Sequence, residues 1–485
     1  MAICYNLSHQ STVIGKCKTK PIPQGDHEVQ KMKIVIVGCG KVGYTLAGQL
    51  SVENHDVTIV DNNSRIIEKA QETLDVMSVS GNGAALDIQR EARVGDADLL
   101  IATTGSDELN LLCCIVAKRL GCRHTISRVR NADYIEQIPF MRDDFGLSMT
   151  VNPEYATAQT ICRFLQFPSF LKIDSFAKGL VELVELKLAE NSVLVGKSLD
   201  KLSTELHLKV LVCVVERDNR IFIPKGDFIL RAGDKINVTA PRSELTKMIK
   251  KLNISTQKIR NVMLIGGGRV AEYLTEELIR SGVDVKIIER DAERSIELAS
   301  RYPKALIIND DGSSHDVLLA EGIHETDAVV TLTGIDEQNL VISIYAGHIG
   351  VPKTVTKLGR SEYGALFSDK EIGSTVCPKE VIASEIIRYV RSIDNSDASI
   401  ITLHRIVDGK AEAIEFIANA QTAGLDTPLK DLKLKKNILI ACINHNGKII
   451  IPRGMDRISY GDTVIIVTAA DEPISELNDI FEDNN

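Results

Sequence analysis

The sequence has 485 residues, enough for roughly three or four compact domains, because a single hydrophobic core usually stops growing at about 250 residues. Its 44% hydrophobic and 25% charged residues are typical of a globular protein, which argues against the disordered and fibrous classes. A formal net charge of -9 disfavours a polyanion-binding protein, and 4% aromatic residues without Trp disfavour a stacking platform for single-stranded nucleic acid.

No stretch approaches the ~18 to 20 uninterrupted apolar residues that cross a bilayer, so we expect a soluble chain that does not span a membrane. Residues 1–31 lack the apolar core of a secretory signal, and the folded pattern starts at Met32. We predict that they form a disordered extension or are an artefact.

The ten cysteines show neither a secreted disulfide framework nor zinc-ligand spacing. Three of them, Cys113, Cys114 and Cys122, fall inside a helical pattern. We therefore predict buried free thiols and no metal site.

Strand and helix signals alternate over residues 32–152, the first predicted domain. Aliphatic runs at 34–37, 76–79 and 99–102, and a further strand signal at 56–60, are each followed by a helix-like stretch. This order predicts an α/β fold of the doubly wound kind, with a mostly parallel sheet covered by helices on both faces.

The loop GCGKVG at 38–43 is a GxGxxG motif, which is weak evidence alone. Here it follows a buried strand and opens a helix, and Asp61 ends the next strand, which is the context of a dinucleotide site. Gly38 would make the tight turn, Gly40 would let the backbone approach a pyrophosphate, and Gly43 would allow close helix packing. Asp61 would bind the ribose hydroxyls and repel a 2'-phosphate, which favours NAD over NADP.

The chain contains a second copy of this unit. The loop GGGRVA at 266–271 and the acid Glu289 stand 228 residues after Gly38 and Asp61, and residues 327–339 repeat 98–110 at an offset of 229. The copy predicts a second Rossmann-like domain over 258–377. Arg290, directly after Glu289, weakens the preference for NAD at this site.

A different module follows each Rossmann-like unit. Residues 180–188, 210–216 and 235–239 are rich in β-formers, and residues 451–467 repeat 223–238. We predict two small α+β domains, at 168–252 and 395–476. Amphipathic helices at 153–167 and 378–393 precede them, and their apolar stripes would pack either on a partner or within their own domain. The stripes are formed by Ile161, Phe164 and Leu165, and by Ile382, Ile386, Ile387 and Val390.

Several polar residues follow the ends of strands, where open α/β sheets bind ligands. Thr104 and Gly105, and their equivalents Thr333 and Gly334, occupy such positions. Asn82 would either approach an adenine or belong to a plain turn. Asp98 and Asp327 precede strands, and we expect them to be solvated caps.

The chain lacks common catalytic signatures: no Tyr has a Lys four residues later, and neither HExxH nor a Walker P-loop occurs. We therefore expect no enzyme and no catalytic residues, and a dinucleotide that is sensed rather than consumed. An NAD-dependent oxidoreductase stays the main alternative. A nucleotide-dependent transcription factor is disfavoured by the acidic charge and by the lack of a helix-turn-helix signal.

Two glycine-loop units, each followed by a small β-rich module, resemble the TrkA family over about residues 32–475. Members are peripheral regulatory subunits of Trk potassium uptake systems, built from tandem RCK (KTN) domains. The resemblance implies a homo-oligomeric ring, expected to be tetrameric, and a cytoplasmic location on the inner face of the cell membrane. It also implies a TrkH or TrkG membrane partner and NAD (NADH or NAD+) as ligand, with ATP or ADP at the same sites.

The family's nucleotide contacts fall on two sets of residues. The first set is Gly38, Cys39, Gly40, Lys41, Val42, Asp61, Thr104 and Gly105. The second set is Gly266, Gly267, Gly268, Arg269, Val270, Glu289, Thr333 and Gly334. Cys39 departs from the usual small residue, either as an inert filler or as a redox-sensitive group. Whether the C-terminal modules bind a second messenger stays open.

Overall fold

The structure is a computed structural model. It describes residues 31–482 except 132–133, 135–136, 139, 141, 143, 169, 178–179, 206, 219, 253–257, 365, 368, 394–399, 408–409, 470–473 and 475. The predicted extension at 1–31 lies outside the described residues apart from its last residue. Among the helices of the described part, none combines the length and the apolar composition that a membrane crossing requires.

The first sheet is parallel and six-stranded, in the order β3-β2-β1-β4-β5-β6. Its strands are β1 Lys33–Val37, β2 Asp56–Asp61, β3 Met77–Ser80, β4 Leu99–Ala102, β5 His124–Arg128 and β6 Met149–Val151. Its helices are α1 Lys41–Val52, α2 Ser64–Thr73, α3 Leu86–Glu91 and α4 Asp107–Leu120, with a 3-10 turn at Val94–Asp96. Ile34 and Ile36 pack into the core on one face of the sheet and Val35 and Val37 into the core on the other, so β1 is covered on both sides.

Helix α5, Pro153–Gln166, leads into a five-stranded antiparallel sheet in the order β10-β9-β11-β8-β7. The strands are β7 Lys172–Phe176, β8 Val181–Lys187, β9 Leu211–Arg217, β10 Arg220–Phe222 and β11 Lys235–Pro241. The described residues of this module also form the helices α6 Asp200–Thr204 and α7 Arg242–Lys251.

The second parallel sheet repeats the first, in the order β14-β13-β12-β15-β16-β17. Its strands are β12 Asn261–Ile265, β13 Asp284–Glu289, β14 Leu306–Asn309, β15 Ala328–Thr331, β16 Lys353–Lys357 and β17 Ser374–Val376. Its helices are α8 Arg269–Arg280, α9 Ala292–Arg301, α10 His315–Ala320, α11 Asp336–His348, α12 Ser361–Gly364 and α13 Asp369–Ile372, with a 3-10 turn at Ile323–Glu325.

Helix α14, Pro378–Ile393, leads into the last sheet, which is antiparallel in the order β18-β19-β22-β20-β21. Its strands are β18 Ile400–Ile406, β19 Ala411–Ile417, β20 Ile438–His445, β21 Lys448–Ile450 and β22 Thr463–Ala469, with 3-10 turns at Leu429–Asp431 and Leu477–Ile480. Val181 and Val214 of the first antiparallel module share a buried cluster with Ala411 and Val467 of the second. The predicted alternation of parallel and antiparallel domains is confirmed, while the predicted domain limits stay predictions.

The two amphipathic helices cross between the repeats. Ile161 and Phe164 of α5 lie in one buried cluster with Leu274 of α8, and Ile386 and Val390 of α14 lie in another that holds the core of the first sheet. Their apolar stripes therefore pack mainly on the opposite repeat of the same chain. We call α5 and α14 the crossover helices.

Polar contacts also fasten the crossover helices to the opposite repeat. Arg391 of α14 pairs with Glu53, directly after α1, and its Nε donates to Oε2 at 3.2 Å. Lys353 of β16 is only 5% exposed, and its Nζ donates to the Pro168 and Phe170 carbonyls at 3.0 Å each. These carbonyls closely follow α5, so a buried ammonium group fixes the end of that helix to the second sheet.

Candidate nucleotide-binding sites

The first glycine loop connects β1 to α1 in a backbone conformation that requires glycine. Gly38 has φ +91°, and a Cβ atom there would lie 2.8 Å from the Thr104 nitrogen. At Gly43, a Cβ atom would lie 2.0 Å from the Gly38 carbonyl oxygen. The loop thus lies directly against the end of β4 and the start of α1, which places Gly38 beside Thr104.

The third loop residue faces open space in both repeats. Gly40 and Gly268 are the N-caps of α1 and α8, and a Cβ atom at either position would have no atom of the described residues within 4 Å. Gly105 and Gly334, after the neighbouring strands, are equally open. Each helix N-terminus therefore has room in front of its unpaired N–H groups, as an anionic ligand requires.

Asp61 fastens the first glycine loop to the end of β2. Its Oδ2 accepts the Cys39 backbone N–H at 2.7 Å, and its Oδ1 accepts the Asn63 N–H at 2.9 Å. An ionised carboxylate offers about four acceptor positions, so two hydrogen bonds leave capacity for ribose hydroxyls.

Glu289 makes the same contact in the second repeat despite its longer side chain. Its Oε2 accepts the Gly267 N–H at 2.6 Å, and its Oε1 accepts the Asp291 N–H at 2.8 Å. Gly266 has φ +104°, and a Cβ atom there would lie 3.1 Å from the Leu332 carbonyl group. The two crevices therefore share one geometry, although their acids differ in length.

The last two residues of each predicted loop set have different environments. Val42 and Val270 are buried in the cores under α1 and α8, so only their backbones could contact a ligand. Lys41 and Arg269 are exposed first residues of these helices, so their charges would favour an anionic ligand at the helix N-termini.

A buried asparagine organises the end of β4 and was missed by sequence reasoning. The Thr104 nitrogen and Oγ1 both donate to Asn110 Oδ1 at 2.7 Å, and Asn110 Nδ2 donates to the Arg128 carbonyl at 2.9 Å. Thr333 and Asn339 repeat the pair at 2.9 and 2.7 Å. Both asparagines lie at the same position of the aligned repeat segments. This repetition in the sequence could have indicated that they share a structural role.

Two cations at the ends of β5 and β16 were also missed. Arg128 donates through Nη2 to the Thr104 carbonyl, and Lys357 Nζ donates to the Leu332 carbonyl at 2.9 Å. Burial lowers the pKa of both side chains below their ordinary values. These cations lie next to the predicted ligand positions and would be stabilised by an anionic group.

The two crevices approach each other across the repeat boundary. Lys41 Nζ lies 3.4 Å from the position of a Cβ atom on Gly359, beyond the end of β16. Tyr273 of α8 donates through its hydroxyl to the Arg130 carbonyl at 3.2 Å and accepts from Asn152 Nδ2 at 3.0 Å. Each glycine-loop helix therefore contacts the opposite repeat near its strand ends.

The Cys39 side chain is buried beneath the first glycine loop, where it fills space in the core. It is 3% exposed, and burial together with the negative charge of Asp61 raises the pKa of its thiol to about 11. Its equivalent is Gly267, where a Cβ atom would lie 2.4 Å from Leu298 Cδ1. The residue corresponding to Leu298 in the first repeat is Ala70, whose smaller side chain leaves room for the thiol.

We expect Cys39 to resist alkylation by iodoacetamide at pH 8 in the folded chain. Because its pKa is raised to about 11, the unreactive protonated thiol dominates below that pH, and reactivity appears only as the pH rises through it. Peptide mass spectrometry measures the labelling, with a guanidinium-denatured sample as positive control. Rapid labelling of Cys39 in the native chain would contradict this packing.

Three other polar residues singled out in the sequence accept hydrogen bonds from backbone N–H groups. Asn82 Oδ1 accepts the backbone N–H of the residue two positions later at 3.1 Å. This hydrogen bond is typical of a plain turn, one of the two roles that the sequence allowed for Asn82. Asp98 accepts the Lys33 N–H at 3.0 Å, and Asp327 accepts the Arg260 N–H at 2.8 Å. These aspartates therefore support the starts of β1 and β12, at the sheet edge opposite the crevices.

Comparison with protein families assigns both kinds of module. The TrkA-N domain matches residues 34–153 and 262–378, and the TrkA-C domain matches residues 183–253 and 418–482. A Trk system potassium uptake protein TrkA homolog 2 from Methanosarcina mazei is 34% identical over 90% of this chain and 97% of that protein. Trk system potassium uptake protein TrkA from Haemophilus influenzae is 30% identical over 93% and 99% of the two chains.

Solved structures share the fold. The structure described as "GsuK channel bound to NAD" superposes with a TM-score of 0.59 at 16% identity, covering 92% of this chain and 78% of that one. The GsuK RCK domain superposes with a TM-score of 0.58 at 16% identity, covering 92% of this chain and 94% of that one. The domain matches span both repeats and the relatives match over nearly their full length, and the chain belongs to the TrkA family of Trk potassium uptake proteins.

Proposed function

We propose that the chain is the nucleotide-sensing regulatory subunit of a Trk-type potassium uptake system. NADH or NAD+ binds both crevices, ATP or ADP competes for the same sites, and the bound state gates a membrane subunit of the TrkH or TrkG type. The observation that carries this proposal is the repeated contact of Asp61 and Glu289 with the second residue of each glycine loop. The potassium role follows from the family, whose matched members are potassium uptake proteins.

The family assignment decides against the dehydrogenase alternative, because the matched relatives are transport proteins and not oxidoreductases. The chain has a regulatory role in potassium transport and is not an enzyme. A nucleotide is therefore a signal, and its binding energy serves to favour one conformation over another.

Each bound dinucleotide would extend along the carboxyl edge of its sheet. In the first crevice, the pyrophosphate lies at the N-terminus of α1 beside Gly40, and Asp61 accepts hydrogen bonds from the adenosine ribose. The second half of the ligand then lies over Thr104 and Gly105. A channel of the same fold is described as bound to NAD, which supports an adenine dinucleotide as the class of ligand.

The crossover helices offer a route from ligand to assembly. Helix α1 starts at the first glycine loop and packs on α14, which leads into the second antiparallel module. A ligand that shifts α1 would therefore move the module of the opposite repeat. Coupling of ~1 to 3 kcal/mol would change affinity or channel opening by roughly 5 to 150-fold.

The assembled state completes the proposal. Copies of the chain form a homo-oligomeric ring, with four chains as the expected number, and the ring docks from the cytoplasm on the membrane subunit. We base this arrangement on membership of the TrkA family, whose two kinds of domain both occur twice in the chain.

Asp61→Asn should weaken NADH binding at the first crevice by about 10- to 150-fold, because a hydrogen bond to a charged group contributes ~1.5 to 3 kcal/mol. Asparagine keeps an acceptor for the Cys39 N–H, so the loop should stay in place. Rejection of NADPH should also weaken, since the repelling charge is lost. Calorimetry on Gly268→Val chains, in which the second crevice is blocked, measures both ligands at the first crevice, with Asp98→Asn as matched control. Unchanged NADH affinity in Asp61→Asn would refute the ribose assignment.

The whole proposal is tested by potassium uptake in a strain that lacks the chain. The wild-type chain should restore nucleotide-dependent uptake, whereas a Gly40→Val/Gly268→Val chain, blocked in both crevices, should not. Equal uptake with the wild-type chain, with the double variant and with neither would show that the chain does not regulate potassium transport.

A further inference from the structure

The second antiparallel module has an exposed basic segment directly before β20. Residues 430–436 have the sequence KDLKLKK, and the side chains of Lys430, Lys433, Lys435 and Lys436 are all exposed. None of these four ammonium groups forms an ion pair with a carboxylate of the described residues. Asp431 is the one acid within the segment, so its charge remains strongly positive.

The corresponding segment of the first antiparallel module is neutralised. There the chain forms α6, and the ammonium groups of Lys197 and Lys201 lie 2.9 and 3.8 Å from the Glu205 carboxylate. The two modules have the same kind of sheet, built from five antiparallel strands. The unpaired lysines are therefore a property of the second module and not of the fold.

The loop between β21 and β22 enlarges the basic segment. The backbone N–H of Lys430 donates to the Gly454 carbonyl at 2.9 Å, and Pro428 forms a β-bridge with Arg457. The loop carries three exposed side chains, those of Arg453, Met455 and Arg457, and Met455 is 66% exposed. We call the seven residues the basic region: Lys430, Lys433, Lys435, Lys436, Arg453, Met455 and Arg457.

Backbone hydrogen bonds fix the basic region to the end of the module. The Lys435 N–H donates to the Ile480 carbonyl at 2.9 Å, and the Glu482 N–H donates to the Lys433 carbonyl at 2.9 Å. Six cations thus stand beside three acids, Asp431, Asp456 and Glu482. The backbone is already ordered, so a partner that meets these side chains does not have to order the chain first.

The chemistry of the basic region fits an anionic lipid surface. A dense layer of phosphate headgroups attracts clustered Lys and Arg side chains, even on a chain whose total charge is -9. Met455, between the two arginines, adds an apolar group that can enter the boundary between headgroups and hydrocarbon. A nucleic acid would instead favour an aromatic ring at this position, on which a base could stack.

We propose that the basic region binds the anionic headgroups of a lipid bilayer, so that the second antiparallel module contacts the membrane surface directly. This inference goes beyond the proposed function, because lipid binding requires neither a nucleotide nor the membrane subunit.

The test is sedimentation of the full-length chain with phosphatidylcholine vesicles that contain phosphatidylglycerol and no membrane protein. Lys433→Gln/Lys435→Gln/Lys436→Gln should weaken binding by about 100-fold, because each lysine near an anionic surface contributes roughly fivefold. The matched control Lys209→Gln/Lys225→Gln/Lys304→Gln removes three exposed lysines elsewhere, two of them from the first antiparallel module. It should change binding by less than about threefold, and thermal melts check that both variants fold.

Met455→Ser separates a lipid surface from other polyanions. It should weaken vesicle binding by about fivefold, since only a bilayer offers hydrocarbon to this side chain. No sedimentation of the wild-type chain, an equal loss in both triple variants, or equal binding to vesicles of phosphatidylcholine alone would overturn the proposal. Binding to RNA without binding to vesicles would also overturn it, and each of these outcomes leaves the nucleotide sites unaffected.

Discussion

Gly40→Val is expected to abolish nucleotide binding at the first crevice, by more than about 100-fold, without changing the stability of the chain. Gly40 has φ -68° and ψ -166°, an extended conformation that any residue adopts, and no atom of the described residues lies within 4 Å of its Cβ position. The valine side chain therefore fits without a clash but fills the space in which the pyrophosphate approaches the backbone. Calorimetry with NADH and a thermal melt measure the two properties.

Gly38→Ala provides the contrasting variant two residues earlier. Its φ of +91° costs a non-glycine residue ~1 to 3 kcal/mol, and its Cβ would meet Thr104 backbone atoms at 2.8 and 2.9 Å. We expect this variant to lose stability as well as binding.

NADH affinity in Gly40→Val equal to that of the wild type would show that no ligand lies in front of α1.

Ile386→Ala is expected to destabilise the chain by ~2 to 5 kcal/mol, the usual cost of truncating a fully buried isoleucine. Ile386 is 0% exposed and packs with the core of the first sheet, although it lies in α14 of the second repeat. Removal of its side chain leaves a cavity at the contact that joins the two repeats. Urea denaturation measures the change in the free energy of unfolding.

Ser384→Ala is the matched control on the same helix, because Ser384 is exposed and should change stability by less than about 0.5 kcal/mol. If the two variants unfolded at the same urea concentration, the packing of α14 against the core of the first sheet would not contribute to stability.

The fold could be predicted because its determinants are local and occur twice. The aliphatic run before Gly38, the helix after Gly40 and the acid at Asp61 all lie within about 30 residues of one another. The copy at an offset of 228 makes coincidence implausible. These short-range patterns fix the alternation of strands and helices and the glycine-loop geometry, and both are present in the structure.

The remaining features depend on contacts between distant residues. The stripe at Ile161 and Phe164 indicates a buried face, but periodicity does not say which surface covers it, and that surface is the opposite repeat. Arg128 likewise reads as an ordinary strand-end cation until the fold places its guanidinium beside the Thr104 carbonyl. Side chains that act across repeats require the three-dimensional arrangement.

The number of nucleotides bound per chain tests the central claim most directly. Calorimetry or equilibrium dialysis with NADH should give two molecules per wild-type chain, one for Gly40→Val or Gly268→Val alone, and none for the double variant. A folded wild-type chain that binds no adenine nucleotide, or that keeps both molecules in the double variant, would contradict the paired crevices.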